Sequence, residues 1–232
     1  MIVPAGKNLK AKLIRQVLFM LAFYVVCLFV PAGTLTFWRG WLFLAVLFVP
    51  SLALTIYLHQ HNRPLLERRL QRGEKIRAQK FIMLLWIILS ASGMVLAGCD
   101  FRFGWTRALA GPFPWWPTVL ALAVIAGQFV WSFRVFQANR FAASTIQVEI
   151  GQTLVDTGPY RVVRHPLYLG AVVSWLATPP ALGSLVVAPV CGMVIAVIVL
   201  RLLNEEKTLR HELPGYAEYC QRTRYRLIPF VW

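Results

Sequence analysis

The sequence predicts an all-α integral membrane protein with about five to six transmembrane helices, a C-terminal helical hairpin and a polar cytosolic loop. Three observations predict this class. Of the 232 residues, 58% are hydrophobic and only 14% are charged, whereas a soluble domain carries roughly a quarter charged residues. The apolar residues form long runs, and the cations collect in every second connection between those runs. These features favour a chain whose apolar surface faces acyl chains.

The apolar runs give the predicted spans. A spanning helix needs about 20 apolar residues, with about 17 as a lower limit. Six runs are candidates: 17–35, 41–58, 81–98, 115–133, 167–182 and 183–200. The last two are short, and Pro179, Pro180 and Gly183 are expected to lie between their helices. This spacing predicts a tight helical hairpin that need not cross the full bilayer.

The distribution of cations predicts the orientation. Four segments hold 4, 7, 4 and 6 of the 24 lysines and arginines, and these are 1–15, 61–80, 134–165 and 201–226. The alternate connections hold Arg39, Arg102 and Arg107. By the positive-inside rule, both termini and the long polar loops face the cytoplasm. The net charge of +15 is then explained by topology, so nucleic-acid binding is not expected.

The basic connection 61–80 has two interpretations. In the first, it forms a short amphipathic helix that rests on the membrane while its arginines reach lipid phosphates. The residues that would contact the membrane are Leu65, Leu66, Leu70 and Ile76. In the second interpretation, the segment is a solvated basic connector.

Several known catalytic signatures are absent from the sequence. It contains no dinucleotide fingerprint GxGxxG, no phosphate-binding loop, no nucleophile elbow and no zinc-binding HExxH. The four cysteines and four histidines are scattered, so they predict no metal site. The first four spans contain almost no titratable side chains, which argues against a proton-relay transporter.

A polar loop at 151–168 carries the first part of a predicted binding site. The chain turns at Gly158-Pro159, and Pro166 suits the first turn of the following helix. The free N–H groups at that helix start favour an anion, and Tyr160 and Tyr168 offer rings to a flat ligand. The remaining polar side chains are Arg161, Arg164 and His165. Taken singly, these residues are equally explained by a helix start with arginines on lipid headgroups.

The second part lies at the end of the final span. Arg201 and Glu205 are four residues apart and therefore share a helix face. As an isolated surface pair they would contribute about 0–1 kcal/mol. An antiparallel hairpin, however, returns position 201 close to position 165. Arg201 would then bind an anionic substrate group through two hydrogen bonds, and Glu205 would accept hydrogen bonds from a cationic or hydroxyl-bearing ligand.

One pattern spans both parts. It consists of Gly158-Pro-Tyr-Arg-Val-Val-Arg-His-Pro-Leu-Tyr-Leu-Gly170, Arg201-x-x-x-Glu205-Glu206-x-x-Leu209, Tyr216-x-x-Tyr219, Arg226 and Ile228-Pro229-Phe230. This pattern resembles the isoprenylcysteine carboxyl methyltransferase family and its phospholipid-methylating relatives. The resemblance is strong over 140–232 and loose elsewhere, and the basic segment 65–80 is similar to bacterial members. Gln152 stands where some relatives carry histidine, and Leu213-Pro214-Gly215 replaces a turn that contains Phe-Gly.

The resemblance implies an integral membrane methyltransferase that uses S-adenosyl-L-methionine. It implies a lipophilic acceptor that enters from the bilayer, with a carboxylate favoured, and a location in the bacterial inner membrane. Residues 1–140 would form the N-terminal membrane region and 141–232 the catalytic region. The cofactor residues that the resemblance implies are Gln152, Thr153, Leu154, Val155, Tyr160, His165, Pro166, Leu167, Tyr168 and Glu205. Arg201 would be the substrate-side residue, and His165 or Glu205 would assist an amine acceptor by removing its proton.

Two other functions stay open. An NADPH-dependent membrane reductase of the sterol-reductase type resembles the same C-terminal hairpin, although such reductases tend to have more spans and further polar groups for the ribose phosphate. The second is a non-enzymatic membrane protein that binds lipid. Cofactor binding distinguishes the methyltransferase from both.

Overall fold

The computed structural model describes residues 8–70, 77–142 and 152–232. All the regular structure in these residues is helical, which confirms the predicted all-α class. The α-helices, in chain order, are α1 (Asn8–Ala32), α2 (Trp38–His61), α3 (Arg63–Leu70), α4 (Arg77–Phe103), α5 (Trp105–Ala110), α6 (Trp115–Ala138), α7 (Pro166–Leu182), α8 (Ala188–Glu212) and α9 (Tyr216–Arg222). Short 3-10 helices at Gly158–Arg161 and Leu185–Val187 precede α7 and α8.

Within the described residues, five helical stretches are long and apolar enough to cross a membrane. They are Leu9–Ala32, Trp38–His61, Gln79–Phe103, Trp115–Ala138 and Leu185–Glu212. The protein is therefore a multi-pass membrane protein, and these candidate spans agree with the predicted five to six. The remaining candidate, α7, has 17 residues and rises about 26 Å. It is shorter than the hydrocarbon core of about 30 Å, as predicted for this arm of the hairpin.

The long helices form one bundle. Helix α1 packs against α4, α4 packs against α8, and α6 packs against both α2 and α7. The long helices alternate in direction along the chain, so the ends of α2, α6 and α8 lie beside the starts of α4 and α7. We call this end of the bundle the site end. It carries the polar loops on which the predicted functional residues lie.

The hairpin of α7 and α8 differs from the prediction at its turn and in its second arm. Pro179 and Pro180 lie inside the last turns of α7 instead of between the helices. Gly183 ends α7 in the left-handed conformation at φ 66°, where it donates a backbone hydrogen bond to the carbonyl of Pro180 at 3.1 Å. Helix α8 continues to Glu212, so Glu205 lies well inside the helix and not at its end. Polar side chains at the site end are thereby held on a rigid element.

The short helix α3 corrects the membrane-surface interpretation of the basic connection. The side chains of Leu65, Leu66 and Leu70 are 0%, 4% and 6% exposed. They pack inside the protein against Leu58 and Phe136. A leucine face that is covered by protein cannot rest on lipid, so that interpretation is wrong for these three residues. The fourth residue of the predicted face, 76, lies outside the described residues.

We expect Gly98→Ala to destabilise the packing of α1 on α4. A Cβ at Gly98 would collide with the Leu28 carbonyl oxygen and lie 3.1 Å from the backbone nitrogen of Ala32. Small residues at such positions let membrane helices approach closely. The thermal unfolding temperature of the purified protein should fall. Gly127→Ala is the matched control, because a Cβ there meets nothing within 4 Å; equal unfolding temperatures in the two variants would contradict this account.

Candidate functional site

A cavity of about 290 Å³ lies at the site end, between the residues that follow α6, the start of α7, the last turns of α8 and the helix α9. Every cofactor residue implied by the sequence resemblance lines it, and so does Arg201. The cavity also contains side chains to which the sequence assigned no role, including Arg69, Asn139, Thr208, Leu209 and Tyr216. The start of the predicted loop, residue 151, lies outside the described residues. The fold therefore brings together two segments that are about 40 residues apart in the chain.

Tyr160 is fixed in the cavity wall by three contacts. The side-chain nitrogen of Asn139 donates a hydrogen bond to the Tyr160 hydroxyl at 2.9 Å. The Tyr219 hydroxyl donates to the Tyr160 carbonyl at 2.7 Å, and the Thr223 hydroxyl donates to the same carbonyl at 3.4 Å. Burial raises the pKa of Tyr160 above its ordinary value. The phenol therefore stays neutral at physiological pH and can act as a hydrogen-bond donor.

Backbone hydrogen bonds join the start of α7 to residues 223–232, which we call the C-terminal segment. The backbone nitrogens of Arg164 and His165 donate to the carbonyls of Tyr225 and Arg226 at 2.9 and 3.0 Å. On the other side, the indole nitrogen of Trp131 donates to the Pro166 carbonyl at 2.7 Å. These bonds fix the position of the helix start relative to the cavity.

Helix α8 contributes Glu205 and Arg201 to the cavity wall. The hydroxyl of Tyr168 donates a hydrogen bond of 2.6 Å to Glu205 Oε2. Arg201 Nη1 donates to Gln79 Oε1 of α4 at 3.4 Å. The hairpin thus places Arg201 and Glu205 in the same cavity as His165, as the antiparallel arrangement predicts. The carboxylate of Glu205 is oriented by a tyrosine of the facing helix.

Glu206 is a residue of the site end to which the sequence pattern assigned no role. Its carboxylate is buried and lies 2.8 Å from Nε of Arg164, 3.3 Å from Nε2 of His165 and 2.9 Å from Nε of Arg226. The Tyr216 hydroxyl lies 3.5 Å from the same imidazole nitrogen. His165 is therefore bonded to Glu206 rather than to Glu205. Adjacency to Glu205 was the available signal, but which of the two carboxylates turns inward depends on helix packing.

Part of the C-terminal half of the chain matches a known family model. The family model described as phospholipid methyltransferase (PEMT) matches residues 116–213. This region contains α6, α7 and α8, together with all the predicted site residues. The match supports a membrane methyltransferase.

Curated relatives match only parts of the chain. The Delta(14)-sterol reductase of Mus musculus is 28% identical over 127 residues, which is 49% of this chain and 30% of the relative. The cobalt-zinc-cadmium resistance protein CzcN of Cupriavidus metallidurans is 35% identical over 72 residues, which is 31% of this chain and 33% of the relative. The chain spans about a third of the length of the curated relatives it matches.

We expect Glu206→Ala to lower the free energy of unfolding by roughly 3–5 kcal/mol, because removing one partner leaves buried charges uncompensated. The two arginines and His165 would lose the carboxylate that they share. Thermal or denaturant unfolding of the purified protein measures the change. Glu212→Ala is the control, since Glu212 is exposed on the same helix and should change stability by less than about 0.5 kcal/mol. If both variants unfold alike, the cluster does not stabilise the fold.

Proposed function

We propose that this protein is a membrane methyltransferase that uses S-adenosyl-L-methionine and acts on a lipophilic acceptor, with a carboxylate favoured. One observation carries the proposal. Residues of the loop, of the α7 start and of α8 line a single cavity within the region that matches the methyltransferase family. The cavity lies at an end of a membrane-spanning bundle, where a polar cofactor and a lipid can both reach it.

The chemistry of the cavity wall fits this cofactor. S-adenosylmethionine carries an ammonium, a carboxylate, ribose hydroxyls, an adenine ring and a sulfonium. Glu205 offers an acceptor for ammonium or hydroxyl groups, and Thr153 offers a hydroxyl. Leu154, Leu167 and Tyr168 offer apolar and aromatic surface for a flat ring. The cavity volume of about 290 Å³ is near the lower end of the roughly 300–1,000 Å³ of small-molecule sites.

Methyl transfer requires little from the protein beyond the alignment of the acceptor with the cofactor. When bound, the cofactor supplies a methyl group, whose carbon forms a bond to the acceptor's lone pair as its bond to sulfur breaks and that electron pair stays on sulfur. Holding the acceptor in line provides much of the acceleration in a displacement of this kind. A carboxylate acceptor needs no base, because it already carries the lone pair.

Glu205 and Arg201 have distinct roles in this proposal. Glu205, oriented by the hydroxyl of Tyr168 at 2.6 Å, holds the cofactor. Arg201, braced by Gln79, attracts and orients an anionic acceptor through charge-assisted hydrogen bonds. His165 is held by Glu206 at 3.3 Å. It would accept a proton only if the acceptor were an amine.

The active site is proposed to face the cytoplasm of a bacterium, at the inner membrane. The site end carries the connections in which most of the lysines and arginines lie, whereas Arg39, Arg102 and Arg107 lie at the opposite end. The positive-inside rule places the cation-rich end in the cytoplasm, where S-adenosylmethionine is made.

Methyl transfer is tested directly. Membranes that contain the protein are incubated with methyl-labelled S-adenosylmethionine, extracted, and searched by mass spectrometry for labelled lipid. The proposal expects a labelled lipophilic product that is absent from membranes with Glu205→Ala. Labelling that does not depend on the protein would contradict it, and the mass of the product identifies the acceptor.

Substitutions of the cofactor residues should change cofactor affinity, whereas substitution of Arg201 should change turnover. Glu205→Ala and Tyr160→Phe should weaken S-adenosylmethionine binding by about ten- to a hundredfold, the equivalent of one lost hydrogen bond to a charged group. Arg201→Ala should instead lower turnover with only a modest change in affinity. Isothermal titration and product assays measure the two quantities, with Glu212→Ala as the control. If none of the three variants changes ligand binding or turnover, a non-enzymatic lipid-binding role gains support.

A reductase is the second candidate function, because one relative is named a Delta(14)-sterol reductase. In this alternative, the same cavity would bind NADPH. Titration of the purified protein with labelled NADPH and with S-adenosylmethionine separates the two. Saturable binding of NADPH without binding of S-adenosylmethionine would overturn the methyltransferase proposal.

A further inference from the structure

A second cavity of about 480 Å³ lies beside the first, enclosed by α1, α2, α4 and α6 and closed at the site end by α3. Its walls are mainly apolar side chains. The residues that line it include Leu13, Met20, Phe48, Leu54, Leu58 and Phe129. The described residues that line this cavity include none of the cofactor or substrate residues implied by the sequence resemblance.

The length of the second cavity along the helix axes is about the thickness of one leaflet of a bilayer. On α2, its lining residues extend from Leu47 to Leu58, a rise of about 16 Å at 1.5 Å per residue. This equals roughly half of the 30 Å hydrocarbon core. Ser51 and Leu52 line the cavity and are exposed on the outside of the bundle. The cavity therefore opens toward the acyl chains.

Arg69 lines both cavities. Among the described residues that line the second, apolar cavity, Arg69 is the only one with a charged side chain. Its guanidinium carbon lies 4.5 Å from the centre of the Phe136 ring, and Nη1 donates to the Ala142 carbonyl at 3.1 Å. Burial lowers the pKa of Arg69 to about 10, so the side chain remains a cation at neutral pH. The guanidinium is held at the boundary between the apolar and polar cavities.

We propose that the apolar cavity takes the hydrocarbon chain of the acceptor lipid and that Arg69 holds an anionic group of its head at the entrance to the polar cavity. This inference rests on the proposed function, because it places the acceptor beside the cofactor residues. A chain that enters between α1 and α2 brings its head to Arg69, next to Tyr160 on the wall of the polar cavity. A guanidinium matches carboxylates and phosphates alike, since both accept two parallel hydrogen bonds. A protonated amine without a neighbouring anion would be repelled.

The test uses three probes with the same sixteen-carbon chain and a photoreactive diazirine near its end. The probes are the carboxylic acid, the phosphate monoester and the neutral alcohol. The full-length protein in lipid nanodiscs is irradiated with each probe, and the labelled peptides are identified by mass spectrometry. Labels on α1 and α2 are expected for an anionic probe at ten times the level of the alcohol or more. The anionic probe that gives the stronger labelling shows whether the cavity prefers a carboxylate or a phosphate head.

Variants separate the chain site from the head site. Ser51→Trp should block the mouth of the cavity and lower labelling at least tenfold. Ala53→Trp is the control, since Ala53 is exposed on the same helix and is not among the described residues that line the cavity. Arg69→Gln should remove most of the preference for anionic probes over the alcohol, and Arg69→Lys, which keeps the charge but not the two parallel hydrogen bonds, should retain part of it.

Three results would overturn the inference: equal labelling by the alcohol, labels confined to other helices, or equal loss in the Ser51 and Ala53 variants. Titration with S-adenosylmethionine is run on the same samples. Cofactor binding without labelling of the cavity would refute the acceptor site and leave the methyltransferase proposal intact. Labelling of the cavity without cofactor binding would refute the methyltransferase and leave a lipid-binding site.

Discussion

The structure of the site end depends on one buried carboxylate. Glu206 lies within 3.3 Å of a nitrogen of Arg164, His165 and Arg226, so it joins α8 to the segment before α7 and to the C-terminal segment. Burying such a group without partners would cost several kcal/mol, and three partners offset that cost. The geometry of the cavity follows from this contact, because His165 directly precedes α7. A carboxylate that is not among the described lining residues of the cavity can therefore determine where those residues lie.

The two cavities give the protein a division between polar and apolar surroundings within one bundle. The first is lined by tyrosines, a histidine and charged side chains, and the second by side chains typical of a hydrocarbon-facing surface. Arg69 lies at their boundary. In a methyltransferase acting on lipids, this division would keep a charged cofactor and an acyl chain each in a suitable medium and let them meet only at their reactive ends. The helix α3 maintains the division, since its leucines close the apolar side.

The sequence was sufficient for the features that depend on local composition. Apolar runs of about 20 residues predict spans, and the pattern from Gly158 to Glu205 predicts residues that do line one cavity. It was insufficient where tertiary packing decides. Leu65 could face lipid or protein equally well on its own periodicity, and only its contact with neighbouring helices buries it. Glu205 and Glu206 are likewise indistinguishable as neighbours, until the rotation of α8 directs one to Tyr168 and the other to Arg226.

The shortness of α7 has a consequence for the surrounding bilayer. Its 17 residues fall a few ångströms short of the hydrocarbon thickness, and a short helix cannot correct such a mismatch by tilting. Beside a short helix the lipid thins or flanking side chains reach out to the interface, each at a cost of fractions of a kcal/mol per ångström. Thinning would bring water and headgroups closer to the ends of α7 than to those of the longer helices. The polar cavity lies at the start of this short helix, so a thinner leaflet would shorten the path from the aqueous phase to it.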